Sequence, residues 1–299
     1  MSPHPVEPLG VGLPYIAALP ADLYQPGLVD FVEITPETIC RRRNAGKTTA
    51  IEIVADQMKR ARDTCGALPL AVHGVELSIG SAHGCNEAYL DMLDRFQSEW
   101  SFIWHSEHLG FQTIPGENSA TLEVGVPLPL PPVKEAVEMV AERCAAIGRR
   151  YGAPFLLENP AHYLPNLPSD PEVGDDIGLM SAITERSGCF QLLDLHNVHC
   201  NTINLGWNPF TAIDRMPLDR VVEIHVAGGS WRDGFWMDAH DGRVPERVWK
   251  LLAYTLPRAP NVAGVVFEVF DEHALRLGAI VIKEELARAR EIWDRHRWR

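Results

Sequence analysis

Histidine and carboxylate side chains recur in this sequence at the ends of short apolar segments. In chain order these are His73; His105, Glu107 and His108; Glu158 and Asn159; Asp194, His196, Asn197 and His199; Glu223 and His225; Asp238 and His240; and Glu268. Imidazole nitrogens and carboxylate oxygens bind zinc, iron, manganese and cobalt. The set is too large for one ion, so it predicts two or three ions with a carboxylate bridging a pair.

Eight apolar segments are predicted strands, and longer amphipathic segments between them are predicted helices. The predicted strands are Gly10–Leu13, Val29–Ile34, Leu70–His73, Phe102–His105, Phe155–Glu158, Phe190–Asp194, Val221–Val226 and Val265–Val269. The predicted helices are Thr48–Thr64, Asn86–Trp100, Pro132–Tyr151, Asp176–Arg186, Pro245–Tyr254 and Ala274–Trp293, with short ones expected near Ala17 and Pro209. This alternation predicts a single-domain (β/α)8 TIM-type barrel over residues 1–299.

A parallel barrel explains how distant residues can meet, because the carboxyl ends of all its strands lie at one face. A histidine at one strand end is by itself more often a hydrogen-bonded rim residue. Several acids gathered at one face, however, would repel one another unless cations neutralised them. The Pro-rich segment Gly110–Pro132 is predicted to be a long loop that could cover this face. Trp207, Trp231 and Trp236 are expected near it, as groove residues or as rim packing.

Charge and cysteine pattern narrow the class of protein. The net charge of −13 argues against nucleic acid or an anionic membrane as the main partner. The six cysteines form no C-x-x-C pair, which favours a reducing compartment, and we expect a cytoplasmic location. The sequence shows no predicted signal peptide and no apolar run long enough for a membrane span.

Seven motifs in this order resemble one family of enzymes. They are HGVELSIG, WHSEHL, LLENP, LLDLHNVHCN, EIHVAGG, DAHDG and FEV, and the resemblance extends from about Gly10 to Glu268. The sequence is similar to the multinuclear non-heme iron-dependent oxidases that modify ribosomally made peptides, which include the methanobactin-biosynthesis oxidase and the 3-thiaglutamate-biosynthesis enzyme. The resemblance implies a xylose-isomerase-like TIM barrel holding two or three iron ions, in mixed Fe(II)/Fe(III) states, with O2 as co-substrate.

The resemblance also implies which residues bind the ions. His73, His108, Glu158, Asp194, His225 and Glu268 would hold a central pair, with Glu158 as the bridge, whereas Asn197, Asp238 and His240 would hold a third ion. Glu158, His108 and His225 would be the catalytic residues.

Four other positions bear on this expected site. Some relatives have a histidine where this chain has Gly229, so the third site loses one possible ligand, and His199 could replace it. Glu33 and Glu37 also resemble a family motif, but a supporting hydrogen bond or a helix N-terminal charge explains them equally well.

The implied reaction is the oxidation of a residue in a precursor peptide, with cysteine expected and aspartate or asparagine as alternatives. A small partner protein that binds the leader peptide is expected. Two other classes of function stay open from the residues alone. One is a divalent-metal barrel isomerase or an endonuclease-like hydrolase, and the other is a non-catalytic metal- or peptide-binding protein. Metal identity and oxygen consumption distinguish the three.

Overall fold

The computed structural model describes residues 6–45, 48–115, 121–164 and 167–297. Its strands are β1 (Gly10–Pro14), β2 (Phe31–Ile34), β3 (Cys40–Ala45), β4 (Thr48–Ile53), β5 (Leu70–Gly74), β6 (His105–His108), β7 (Phe111–Pro115), β8 (Thr121–Leu128), β9 (Phe155–Glu158), β10 (Phe190–Asp194), β11 (Val221–Ala227), β12 (Ser230–Arg232), β13 (Phe235–Met237) and β14 (Gly264–Glu268). Its α-helices are α1 (Ala55–Cys65), α2 (Glu87–Glu99), α3 (Lys134–Tyr151), α4 (Asp176–Ser187), α5 (Leu195–Leu205), α6 (Pro209–Arg215), α7 (Glu246–Thr255) and α8 (Asp271–Arg297).

Eight of these strands form a closed parallel barrel. Their order around it is β1, β14, β11, β10, β9, β6, β5 and β2, so the first strand pairs with both the last and the second. The predicted (β/α)8 barrel is therefore confirmed. Helices lie between successive strands, and the apolar strand faces pack against them, as expected for a sheet buried on both faces.

The lower interior of the barrel is filled by apolar side chains. Phe31 and Trp104 are fully buried there and meet edge to face at 5.3 Å between ring centroids. Gly12 and Gly264 leave room for the Phe31 ring, since a Cβ atom on either would lie within 2.6 Å of it. Side chains thus fill the lower end of the barrel interior, and the groups of His and carboxylate residues lie above them.

Two predicted elements were wrong in type. The predicted helix Thr48–Thr64 begins as β4, which pairs with β3 in an antiparallel hairpin, and only its second half is helical, as α1. The predicted loop Gly110–Pro132 contains the antiparallel pair β7 and β8. Both segments alternate polar and apolar residues, which is the periodicity of a strand.

The fourth predicted strand was displaced. Phe102–His105 was predicted, whereas β6 covers His105–His108 and pairs with β5 and β9. The short helix expected near Ala17 is a 3-10 turn at Ala21–Leu23, and the one near Pro209 is α6.

Candidate metal centre

Strand pleating decides which residues of β6 face the barrel interior. Side chains alternate along a strand, so Ser106 and His108 face inward while His105 and Glu107 face the helices. His105 contacts the rings of Phe102 and Phe155, and its Nε2 lies 3.1 Å from Glu107 Oε1. His105 and Glu107 therefore belong to the helix-facing layer and not to the centre.

Glu158, at the end of β9, is the acceptor on which two histidines converge. Its Oε2 lies 2.8 Å from His108 Nδ1 and 3.5 Å from His73 Nε2. This oxygen is buried, but the contacts lack hydrogen-bond geometry. Burial alone would lower the pKa of His108, but Glu158, together with Glu268 and Glu107, outweighs burial and raises that pKa to about 9. These three residues can hold one ion.

Ser106, which the sequence did not single out, sets the ring orientation of His73. Its hydroxyl donates to the carbonyl of Val72 at 3.2 Å, so its oxygen accepts from His73 Nδ1 at 3.0 Å. This leaves the His73 Nε2 lone pair directed toward Glu158. Burial, together with the nearby His108, holds the pKa of His73 well below its usual range, so the ring is neutral as a ligand requires.

Asp194 ends β10 and begins α5. Its Oδ1 caps the helix by accepting from the Asn197 backbone N–H at 2.6 Å, and its Oδ2 is buried without a hydrogen bond among the described residues. Asn159 binds the backbone of Asp194 through both its amide atoms. Burial and the neighbouring carboxylates of Asp238 and Glu158 raise the pKa of Asp194 well above its usual value.

His225, on β11, lies between two carboxylates. Its Nδ1 lies 2.9 Å from Glu268 Oε2, and its Nε2 lies 3.0 Å from Glu33 Oε2. The two acids outweigh burial and raise the pKa of His225 well above its usual value. Glu33 sits behind the imidazole as an outer carboxylate, an arrangement common behind metal-binding histidines. Glu37 instead accepts from the backbone N–H groups of Val75 and Glu76.

The candidate ligands form a continuous series of groups. In each group the ligand atoms lie within 4.8 Å of one another. The groups are His73, His108 and Glu158; Glu158, Asp194 and His225; Asp194, His240 and Glu268; His196, Asp238 and His240; and Glu33, Glu223 and His225. Glu158, Asp194 and His240 each belong to two of the first four groups. Shared ligands are what a centre with several adjacent ions needs.

Asp238 and His240, the residues expected to hold a third ion, both belong to this series. His240 Nε2 lies 2.7 Å from Asp238 Oδ1, and its Nδ1 lies 3.4 Å from Glu268 Oε1, yet neither nitrogen makes a hydrogen bond within the described residues. Burial opposes it, but Asp238 and Glu268 raise the pKa of His240 to about 10. His240 has positive φ, at 48°, so a strained backbone holds it here.

Asn197 and His196, which are neighbours on α5, make different contacts. Asn197 donates from Nδ2 to Glu158 Oε1 at 3.0 Å, and its buried Oδ1 has no partner among the described residues. His196 was noted in the sequence but not chosen as a ligand, and its Nδ1 lies 2.7 Å from Asp238 Oδ1. His199 lies in none of the ligand groups found within the described residues.

The three tryptophans expected near the mouth have separate environments. Trp207 lines a cavity of about 280 Å³ together with His162 and Asp176. Trp231 is 60% exposed on the β12–β13 hairpin, and Trp236 of the same hairpin is half-buried against His196.

None of the helices in the described part of the chain is long and apolar enough to span a membrane.

Comparisons with known proteins show the family and the fold of this chain. The chain is 31% identical over 292 residues to a "UPF0276 protein" of Caulobacter vibrioides, covering 97% of this chain and 96% of that one. A "UPF0276 protein" of Rhizorhabdus wittichii is 30% identical over 272 residues, covering 91% and 89% of the two chains.

Among solved structures, a putative xylose isomerase from Rhodospirillum rubrum matches with a TM-score of 0.50, at 12% identity, over 97% of this chain and 99% of that chain. That likeness shows the fold alone. A sequence profile described as "RiPP precursor modification enzyme MbnB/TglH/ChrH" matches residues 9–294. This chain therefore belongs to the MbnB/TglH/ChrH family of RiPP precursor modification enzymes.

Proposed function

We propose that this chain is a non-heme iron-dependent oxidase that uses O2 to modify a residue of a ribosomally synthesised precursor peptide. The target residue is a cysteine, with aspartate or asparagine as the alternative. The membership of the peptide-modifying family supports the substrate class. The single observation that carries the metal assignment is the position of Glu158 in two adjacent ligand groups.

The residues present fit a metal centre. Buried atoms with no hydrogen bond among the described residues face the same region: Glu158 Oε2, Asp194 Oδ2, Asn197 Oδ1 and both ring nitrogens of His240. Buried polar atoms are normally paired, so a set of unpaired acceptors at one place calls for cations. A mixed nitrogen and oxygen donor set without thiolate suits non-heme iron.

His73, His108, Glu158, Asp194, His225 and Glu268 would hold a central pair of ions, with Glu158 shared between them. Asp238, His240 and the Oδ1 atom of Asn197 would hold a third. Bound iron would supply Lewis acidity, redox capacity and a site where a thiol loses its proton.

The protein's own contribution is orientation and protonation state. Ser106 and Glu33 hold the rings of His73 and His225 from behind, so each presents a fixed nitrogen to the centre. Neighbouring carboxylates raise the pKa values of His108 and His225, and the protons that these rings hold in the metal-free protein would leave when ions bind. The packed lower interior closes the centre on one side, so the peptide must enter from the face bearing the β12–β13 hairpin.

The proposal also includes a small partner protein that binds the leader peptide. Its support is the family membership alone, because an enzyme acting on a precursor peptide must hold the leader as well as the target residue.

The experiment has two stages. Protein purified without chelators is first analysed for metal identity and stoichiometry, and the proposal expects two or three iron ions per chain with visible absorption. The protein is then incubated aerobically with a candidate cysteine-containing precursor peptide, with and without a candidate leader-binding partner, and the peptide is examined by mass spectrometry.

The controls are an anaerobic reaction and a peptide with its cysteines changed to alanine. A mass change that needs oxygen and cysteine supports the proposal. A colourless zinc, manganese or magnesium protein that consumes no oxygen would favour an isomerase or hydrolase. Iron that binds tightly while the peptide mass stays unchanged would favour a binding or storage protein.

A further inference from the structure

Gly229 follows β11 at a point where no side chain fits. A Cβ atom built on it would lie 2.2 Å from the Met237 carbonyl oxygen and 2.7 Å from both Cε1 and Nε2 of His196. The imidazole of His196, which is fully buried, therefore occupies the space that a residue 229 side chain would take.

The hydrogen bonds of His196 fix its tautomer. Trp236 donates from its indole Nε1 to His196 Nε2 at 3.1 Å, and an indole nitrogen can only donate. Nε2 must therefore be the unprotonated nitrogen, and the proton of the neutral ring is on Nδ1. That nitrogen lies 2.7 Å from Asp238 Oδ1, so it donates to the carboxylate.

We propose that Trp236, His196 and Asp238 form a hydrogen-bond relay in which His196 is a positioning residue for the third ion and not one of its ligands. The inference deepens the proposed function and rests on it. Because Nδ1 carries a proton, the nitrogen facing Asp238 has no lone pair to offer an ion. His196 instead holds one side of Asp238 Oδ1, whereas His240 approaches the same oxygen with an unbonded nitrogen.

The surrounding contacts make the relay rigid. Asn204 binds both the backbone N–H and the backbone carbonyl of Trp236, at 2.9 and 3.0 Å. Asn204 and His196 both belong to α5, so one helix carries the imidazole and also anchors the hairpin that supplies its indole partner. The backbone N–H of Asp238 donates to the Tyr163 hydroxyl at 2.9 Å. Asp238 is thus held at its backbone and at its carboxylate.

The alternative role, His196 as a ligand through Nδ1, requires the proton on Nε2. Two donors, Nε2–H and the Trp236 indole N–H, would then face each other at 3.1 Å. The two roles predict opposite effects when the indole is removed. In the relay, Trp236→Phe frees the imidazole to change tautomer and turn a lone pair toward Asp238, so the third ion binds more weakly. If His196 is instead a ligand, the same substitution removes the repulsion between the two N–H groups, and the third ion binds more tightly.

The test compares Trp236→Phe with the wild-type chain after anaerobic loading with Fe(II). Ions retained per chain are measured after dialysis against a graded series of chelator concentrations. Trp231→Phe is the matched control, because Trp231 is exposed on the same hairpin and contacts the Trp236 ring edge to face at 5.8 Å, a contact that a phenyl ring can keep, but makes no contact with His196 among those described. The relay predicts that Trp236→Phe weakens the third ion about 10- to 100-fold, the usual effect of losing such an outer partner. The central pair and the control should be unchanged.

Equal or tighter retention of the third ion in Trp236→Phe would overturn the relay. His196→Ala provides a second measurement, since it should also weaken the third ion, and wild-type retention in a folded His196→Ala chain would overturn it too. A wild-type chain that binds a central pair but no third ion overturns this inference alone. A wild-type chain that binds no ions overturns the proposed function.

Discussion

Asn197 donates from Nδ2 to Oε1 of Glu158 at 3.0 Å, and its own Oδ1 is left buried without a hydrogen bond among the described residues. One side chain therefore supports the expected bridging carboxylate and offers an oxygen to the expected third ion. We predict that Asn197→Ala weakens both the central pair and the third ion in metal-retention measurements. Loss of the third ion with full retention of the central pair would contradict this double role.

His240→Ala should separate the two sites. His240 Nε2 lies 2.7 Å from Asp238 Oδ1, whereas the His73, His108 and Glu158 group does not include His240. We expect the variant to lose the third ion and to keep the central pair, as measured by iron content per chain. Loss of all iron would show that the sites cannot be separated in this way.

Glu158→Ala should remove the central ions and the activity together, because the same carboxylate serves two ligand groups. Iron content and peptide mass change are the measurements. Glu107→Gln is a suitable control, since Glu107 is equally buried but faces the helices. A Glu158→Ala chain with full iron content would contradict the bridging role.

Ser106→Ala tests the orientation of His73. The hydroxyl accepts from His73 Nδ1, and without it the ring can rotate or change tautomer. We expect central-ion affinity to fall about 10- to 100-fold while the thermal stability changes little. Ser181→Ala is the control, because the Ser181 hydroxyl donates only to Ile177 within α4. Equal affinities in the two variants would mean that Ser106 does not orient the ligand.

Glu107 should make the protein less stable as pH rises. Burial raises its pKa from 4.5 to about 8 in the folded chain, so between these values the folded state keeps a proton that the unfolded state has lost. The free energy of unfolding therefore falls with pH, by at most about 1.4 kcal/mol per unit for one group. The contribution is fully favourable below pH 4.5 and is lost as pH rises toward 8.

Glu107→Gln replaces the neutral acid by a neutral amide and should remove this dependence. The measurement is the urea midpoint of wild type and variant from pH 5 to 8. We expect the variant to gain stability relative to wild type across that range. Parallel midpoints at every pH would show that Glu107 does not titrate in this way.

The sequence was sufficient for the barrel because five of its strands, β5, β9, β10, β11 and β14, are apolar segments with His, Asp or Glu at or near the carboxyl end. It was not sufficient for β6, whose residues His105 to His108 are all polar. Ser106 and His108 face the polar centre, whereas His105 and Glu107 face a buried hydrogen-bonded layer under α2. Neither face of β6 is apolar, so the hydropathy pattern does not predict a strand there. The apolar Phe102–Trp104 segment just before it was taken for the strand instead.

The site was also only partly predictable. Residues at strand ends converge by topology, so His73, Glu158, Asp194, His225 and Glu268 could be placed together from sequence. The role of His196 could not be predicted from the sequence. It depends on the position of the β12–β13 hairpin over α5 and on the absence of a side chain at Gly229. Ser106 gave no signal, since a lone serine inside a strand has many uses.

Glu268 lies at the end of β14, the strand that pairs with β1 and completes the ring. The candidate donors to the proposed ions lie on or after strands from β5 to β14, so they come from distant parts of the chain and face one another only in the curved sheet. Under the proposed function, ion binding would add its free energy to the folded barrel and not to the unfolded chain. Metal binding and folding would then be coupled, and removing the ions would lower the free energy of unfolding.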